Sequence, residues 1–118
     1  MTLLTWTIDG PSGSTGGKLK DPSAQDVAEK LGTLRSGDGS LTLDLSGSND
    51  TEKSLQVLAD AGRYIVTLGY DTDDDYEVRS FNGPKGDLRM VEIGGNLYRS
   101  DSVCADHSVV SDIVLMFL

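Results

Sequence analysis

Leu41-Thr42-Leu43-Asp44-Leu45 and Tyr64-Ile65-Val66-Thr67-Leu68-Gly69-Tyr70 carry a large apolar residue at every second position. Successive side chains of a strand point to opposite faces, so a period of two marks half-buried strands. Between them, residues 54–59 form a second apolar run, and Asp60-Ala61-Gly62 supplies a tight connection. Downstream come residues 76–81, an Asn82-Gly83-Pro84 turn, residues 88–93, a Gly94-Gly95 break and a short last run at 96–100. Upstream, residues 2–8 are β-branched and aromatic and stop at Asp9-Gly10-Pro11. Strands at this spacing, joined by short turns, predict an antiparallel meander.

Two segments carry a helical period instead. Ala24, Val27, Ala28, Leu31 and Leu34 lie on one stripe, with Asp21 as the expected cap and Pro22 at the first helical position. Val110, Ile113, Val114 and Phe117 lie on another, with Asp106 as its cap. The fold class expected is therefore α+β. It is a single antiparallel β-sheet meander of about five to seven strands, packed by two amphipathic helices at about residues 22–34 and 106–118. Residues 1–118 read as one domain, with residues 10–20 as a flexible Gly/Ser-rich loop. Trp6, in the amphipathic first strand, is expected in the core.

Composition removes several function classes. The chain has 118 residues, 37% of them apolar, which suffices for one core. No apolar run approaches the length of a membrane span. The first residues have no basic stretch or long apolar segment of a leader, so a cytoplasmic location is expected. The lone Cys104 excludes an internal disulfide, and one Cys with one His does not make a structural zinc site. Ten basic residues against 19 acidic ones leave a net charge of −9. That sign argues against nucleic acid or an anionic membrane as the direct partner.

The excess is concentrated. Residues 41–77 carry a net charge of −7, while the segments on either side carry −1 each. The densest part is Asp71-Thr72-Asp73-Asp74-Asp75-Tyr76-Glu77, with Asp50 and Glu52 in the neighbouring turn. These eight residues (Asp71, Asp73, Asp74, Asp75, Tyr76, Glu77, Asp50 and Glu52) are the expected contact site for a basic partner. Aromatic residues beside carboxylates suit a protein interface, and a cross-strand pair of Tyr70 and Tyr76 steadying the hairpin is the equal alternative.

Other constellations fail on spacing. Asp71-x-Asp73-x-Asp75 starts like a calcium loop, but Tyr76 stands where glycine is needed and Asn82 where glutamate is needed. The stretch from Ser12 to Leu19 lacks the first glycine and the final hydroxyl of a P-loop. Cys104 and His107 are three residues apart and would share a helix face, the one thiol–imidazole arrangement available for nucleophilic chemistry. With no second histidine and no serine elbow, no catalytic residues and no cofactor are expected.

The chain resembles the Imm1 family of bacterial immunity proteins, found in polymorphic-toxin and contact-dependent competition systems. The resemblance rests on the first strand with Trp6, the Asp21-Pro22-Ser23-Ala24-Gln25-Asp26-Val27 opening of the first helix, and the strand of Leu41, Leu43 and Leu45. Its most specific part is Val91-Glu92-Ile93-Gly94-Gly95-Asn96-Leu97-Tyr98, followed by Val103 and a last helix with Phe117. The resemblance implies a protein without catalysis that binds a cognate toxin domain one to one, prominently a nucleic-acid deaminase or nuclease. A toxin acting on nucleic acid needs a basic surface, which an acidic inhibitor would occlude after electrostatic steering. The alternative reading is a small acidic ligand- or cation-binding module.

Overall fold

The structure, a computed structural model, describes residues 2–10, 13–34, 37–46, 52–71, 76–80, 90–93, 96–99 and 102–117. It has the α+β architecture expected, an antiparallel sheet packed by two helices. The strands are β1 (Thr2–Gly10), β2 (Gly13–Lys20), β3 (Asp38–Ser46), β4 (Glu52–Asp60), β5 (Arg63–Asp71), β6 (Tyr76–Ser80), β7 (Met90–Ile93) and β8 (Asn96–Arg99). The helices are α1 (Ala24–Thr33) and α2 (His107–Phe117). Among the described residues, six strands form one sheet in the order β2-β1-β3-β4-β5-β6. The expected meander runs from β3 to β6. The last two strands leave it and pair with each other as a second, two-stranded sheet.

The stretch expected as a loop at 10–20 is corrected here: Gly13–Lys20 is β2, an edge strand paired with β1 along its whole length. Its side chains are almost all exposed, so it has no apolar period to read. Backbone pairing with β1, not burial, makes it a strand.

The register stacks the apolar positions of the decisive strands into rows. Leu4, Leu43, Leu55 and Leu68 stand side by side, and so do Trp6, Leu41, Val57 and Val66. Both helices cover this face. Val27, Leu31 and Leu34 of the α1 segment and Val110 and Val114 of α2 join Leu4, Leu41, Leu43, Leu55, Val57 and Tyr64 in one buried cluster. The expected α1 stripe is narrower than its sequence pattern, because Ala24 and Ala28 are exposed. Trp6 is only partly buried, at the margin of the cluster, with Lys30 Nζ 4.5 Å from its ring centre.

Among the described residues, the second face is covered only in part. Ile65 points away from the helices, between Tyr64 and Val66, yet is also buried. Arg63, on the same face as Ile65, reaches the Glu92 carbonyl at 3.3 Å, and β7 lies against β4 and β5 with Ile93 fully buried. The β7–β8 hairpin thus closes that end of the face, while the β1 and β3 end is lined by Thr5, Thr7, Ser40 and Thr42.

The caps refine the expected helix starts. Ser23, not Asp21, caps α1: its hydroxyl accepts from the Asp26 N–H at 3.1 Å, and the Asp26 carboxylate accepts from the Ser23 N–H at 2.9 Å. This reciprocal pair is a capping box. Asp21 instead takes a positive φ and closes the β1–β2 ladder by exchanging hydrogen bonds with Thr2. Asp106 caps α2 as expected, accepting from the Ser108 N–H at 3.0 Å.

Candidate protein-binding surface

The sheet register brings together residues that the sequence keeps apart. Ser46 pairs with Glu52, Lys53 with Tyr70, Tyr70 with Glu77, and Asp71 with Tyr76. The β3–β4 and β5–β6 connections therefore leave the sheet at the same end. Glu52, Asp71 and Tyr76 begin or end three neighbouring strands, and neighbouring strands lie about 4.8 Å apart. The two acidic groups named from the sequence thus converge at this end in their backbone positions. Asp50, Asp73, Asp74 and Asp75 lie outside the described residues.

A third acidic group stands at the opposite end. Asp9 pairs with Asp38 across β1 and β3, and Asp60 occupies the matching end of β4. With Thr7, Ser40 and Leu58 they line a surface groove of about 340 Å³. Each carboxylate is engaged locally. Asp9 accepts from the Ser14 hydroxyl, Asp38 from the Ala61 N–H at 3.0 Å, and Asp60 lies 3.9 Å from the Arg63 guanidinium. This trio was missed in the sequence because its members are far apart in the chain. The signal available was that each sits beside a glycine-containing turn: Asp9-Gly10-Pro11, Gly37-Asp38-Gly39 and Asp60-Ala61-Gly62. Among the described residues, no three His, Cys, Asp or Glu side chains are placed to hold a metal ion.

Cys104 and His107 have structural partners. Cys104 is buried and forms a one-residue bridge with Tyr64, each N–H donating to the other's carbonyl at 2.8 Å. Its thiol lies 3.4 Å from the Asp106 carbonyl. His107 Nε2 contacts the Leu31 carbonyl at 3.2 Å, and its ring meets Tyr64 edge-on, 5.8 Å between centres. Tyr64 in turn donates its hydroxyl to the Leu34 carbonyl at 3.3 Å. His107 therefore adds a contact to the Leu31 carbonyl, which already accepts from the Leu34 N–H, and Tyr64 supplies a donor to the Leu34 carbonyl at the end of α1. A shallow depression of about 510 Å³ beside them is lined by Gly62, Tyr64, Ala105, Asp106, His107 and Ser108. Hydrogen bonds from the Ser108 hydroxyl and N–H hold the Asp106 carboxyl below its ordinary range. The backbone and hydroxyl of Ser23 do the same for Asp26.

No helix among the described residues is long and apolar enough to cross a membrane. No curated protein matches the chain. A crystal structure of a hypothetical protein from Neisseria gonorrhoeae shares the fold, with a TM-score of 0.82 at 17% identity. The match covers 98% of this chain and 85% of that one. Residues 5–118 match the model of a family of unknown function, DUF6911, and the chain belongs to that family.

Proposed function

We propose that this chain is an immunity protein, which binds and neutralises a cognate bacterial toxin domain in the cytoplasm of the cell that makes both. The toxin would be a nucleic-acid deaminase or nuclease with a basic substrate-binding surface. The observation that carries the reading is the strand register, which sets Glu52, Asp71 and Tyr76 on neighbouring strands at one end of the sheet. It fits the net charge of −7 over residues 41–77. It also fits the motif resemblance to Imm1 proteins around Trp6, Asp21-Pro22-Ser23 and Gly94-Gly95-Asn96.

The physics favours fast, salt-sensitive capture. A patch of one sign steers a partner of the other, and its contribution falls as salt screens it. Affinity then depends on a few desolvated anchors, for which Tyr76 is the aromatic candidate. No bond is made or broken in this mechanism. Inhibition is occlusion of the toxin's substrate surface.

The test is co-expression with the protein encoded immediately upstream. A one-to-one complex is expected, with toxicity lost in cells that make this chain. Replacing Asp71, Asp73, Asp74, Asp75 and Glu77 by Asn or Gln should slow association roughly tenfold and flatten its salt dependence. Purification of this chain alone, beside a neighbour that is neither basic nor toxic, overturns the function. Unchanged association after the five replacements overturns the site.

A further inference from the structure

We propose that the free edge of β2 accepts an extended acidic segment of a partner protein as an additional strand of the sheet. β2 ends the strand order, and its pairing with β1 is unbroken from Leu3↔Lys20 to Gly10↔Gly13. One side of its backbone is therefore committed to β1, and among the described residues no strand pairs with the other side, which presents its N–H and C=O groups. Such edges bind extended chains by main-chain hydrogen bonding. The strand contains no proline and no acidic residue, and Gly13, Ser14, Gly16 and Gly17 leave its backbone open to close approach.

The flanking side chains state the chemistry of the occupant. Lys18 and Lys20 stand on the open face, opposite Thr5 and Leu3, and are exposed. On the helix face, Leu19 is 36% exposed, and Gly17 brings no side chain between the edge and Trp6. Lys30 adds its ammonium over the Trp6 ring. Three of the chain's five lysines thus border this one edge, in a protein of net charge −9. An arriving strand with carboxylates on one face and apolar residues on the other meets Lys18 and Lys20 with the first and Leu19 and Trp6 with the second. The like charges of two β2 edges oppose pairing with a second copy. This inference is independent of the toxin-binding reading, which uses the strands toward the opposite edge of the sheet, β4 to β6.

The probe is a nine-residue peptide of alternating glutamate and valine, titrated into the full chain and followed by amide-resolved NMR with hydrogen exchange. Binding is expected to shift and protect alternate amides between Gly13 and Lys20. A double variant, Lys18→Glu with Lys20→Glu, should weaken binding at least tenfold while keeping the circular dichroism of the native fold. Three results would each overturn the proposal. One is no change at β2 amides up to millimolar peptide. Another is equal binding by a lysine–valine peptide or by the double variant. The third is a dimer in sedimentation without peptide, with β2 amides already protected, which would make a second copy the occupant.

Discussion

Gly17 lies directly opposite Trp6 in the β1–β2 ladder, and a Cβ at that position would come 2.6 Å from the indole Cζ2. The indole occupies the space that a side chain on β2 would need. Gly17→Val is expected to cost about 1–3 kcal/mol through overpacking and displacement of the ring. Denaturant unfolding followed by Trp6 fluorescence measures both the loss and the new ring environment. An unchanged midpoint and spectrum would show that the ring has another place to go.

The β4–β5 turn stores strain that one substitution should release. Ala61 and Gly62 both have positive φ, 51° and 82°, the geometry of a two-residue hairpin turn that favours asparagine and glycine. Alanine lacks the short polar side chain whose local hydrogen bonding lets asparagine adopt this conformation, so Ala61→Asn should stabilise the chain by about 0.5–1 kcal/mol. The Ala61 N–H bond to Asp38 involves only backbone on its side and survives the change. Thermal unfolding that is unmoved or lowered would refute the strain.

Tyr64 joins the sheet to the end of α1. Its ring is 1% exposed and its hydroxyl donates to the Leu34 carbonyl. Tyr64→Phe keeps the ring packing and leaves that carbonyl without this donor, at an expected cost of about 1–2 kcal/mol. Exchange of amides in the last turn of α1 should speed up more than exchange in β3. Uniform acceleration would mean a global loss instead.

Two capping carboxylates set an acid limit. Asp26 and Asp106 both titrate below their ordinary value of 3.8, because serine groups hydrogen-bond to their ionised forms. A folded-state pKa below the unfolded one adds stability above the unfolded value, and that contribution is lost as pH falls through the folded one. Stability should therefore be level above about pH 5 on this account and decline below about pH 4. Ser23→Ala and Ser108→Ala should each flatten the decline, read as unfolding midpoints from pH 3 to 7.

The Cys104 thiol is 4% exposed, at the edge of the core. Its reaction with a maleimide should be slow in the native chain and fast in denaturant, with the native rate tracking the opening of the Tyr64 bridge. Rapid native alkylation would reopen the reading of Cys104 as a reactive group.

Much of the fold was legible along the chain. The alternation of Leu41, Leu43 and Leu45 and of Tyr64, Val66 and Leu68 predicted strands, and of these Leu41, Leu43, Tyr64, Val66 and Leu68 belong to or pack against the core under the helices. The stripe of Val27, Leu31 and Leu34 did the same for α1. Where burial is slight, the pattern disappears. β2 has almost no buried side chain, so its sequence reads as a loop. The sequence pattern pointed to Asp21 as the cap, and Ser23, an equally good capping residue, takes that place instead. Asp26, three residues beyond Ser23, closes the reciprocal pair that decides it.

The candidate surface divides in the same way. That the acidic excess lies within residues 41–77 can be read along the chain, since charge is additive and needs no fold to be counted. Which carboxylates are neighbours is a property of the folded sheet. Antiparallel pairing brings Glu52 beside Asp71, sends Asp9, Asp38 and Asp60 to the other end, and leaves Lys18 and Lys20 along a free edge. Those placements follow from which strands exchange hydrogen bonds and in what register. That depends on the burial of the whole apolar face at once, which no local stretch of sequence contains.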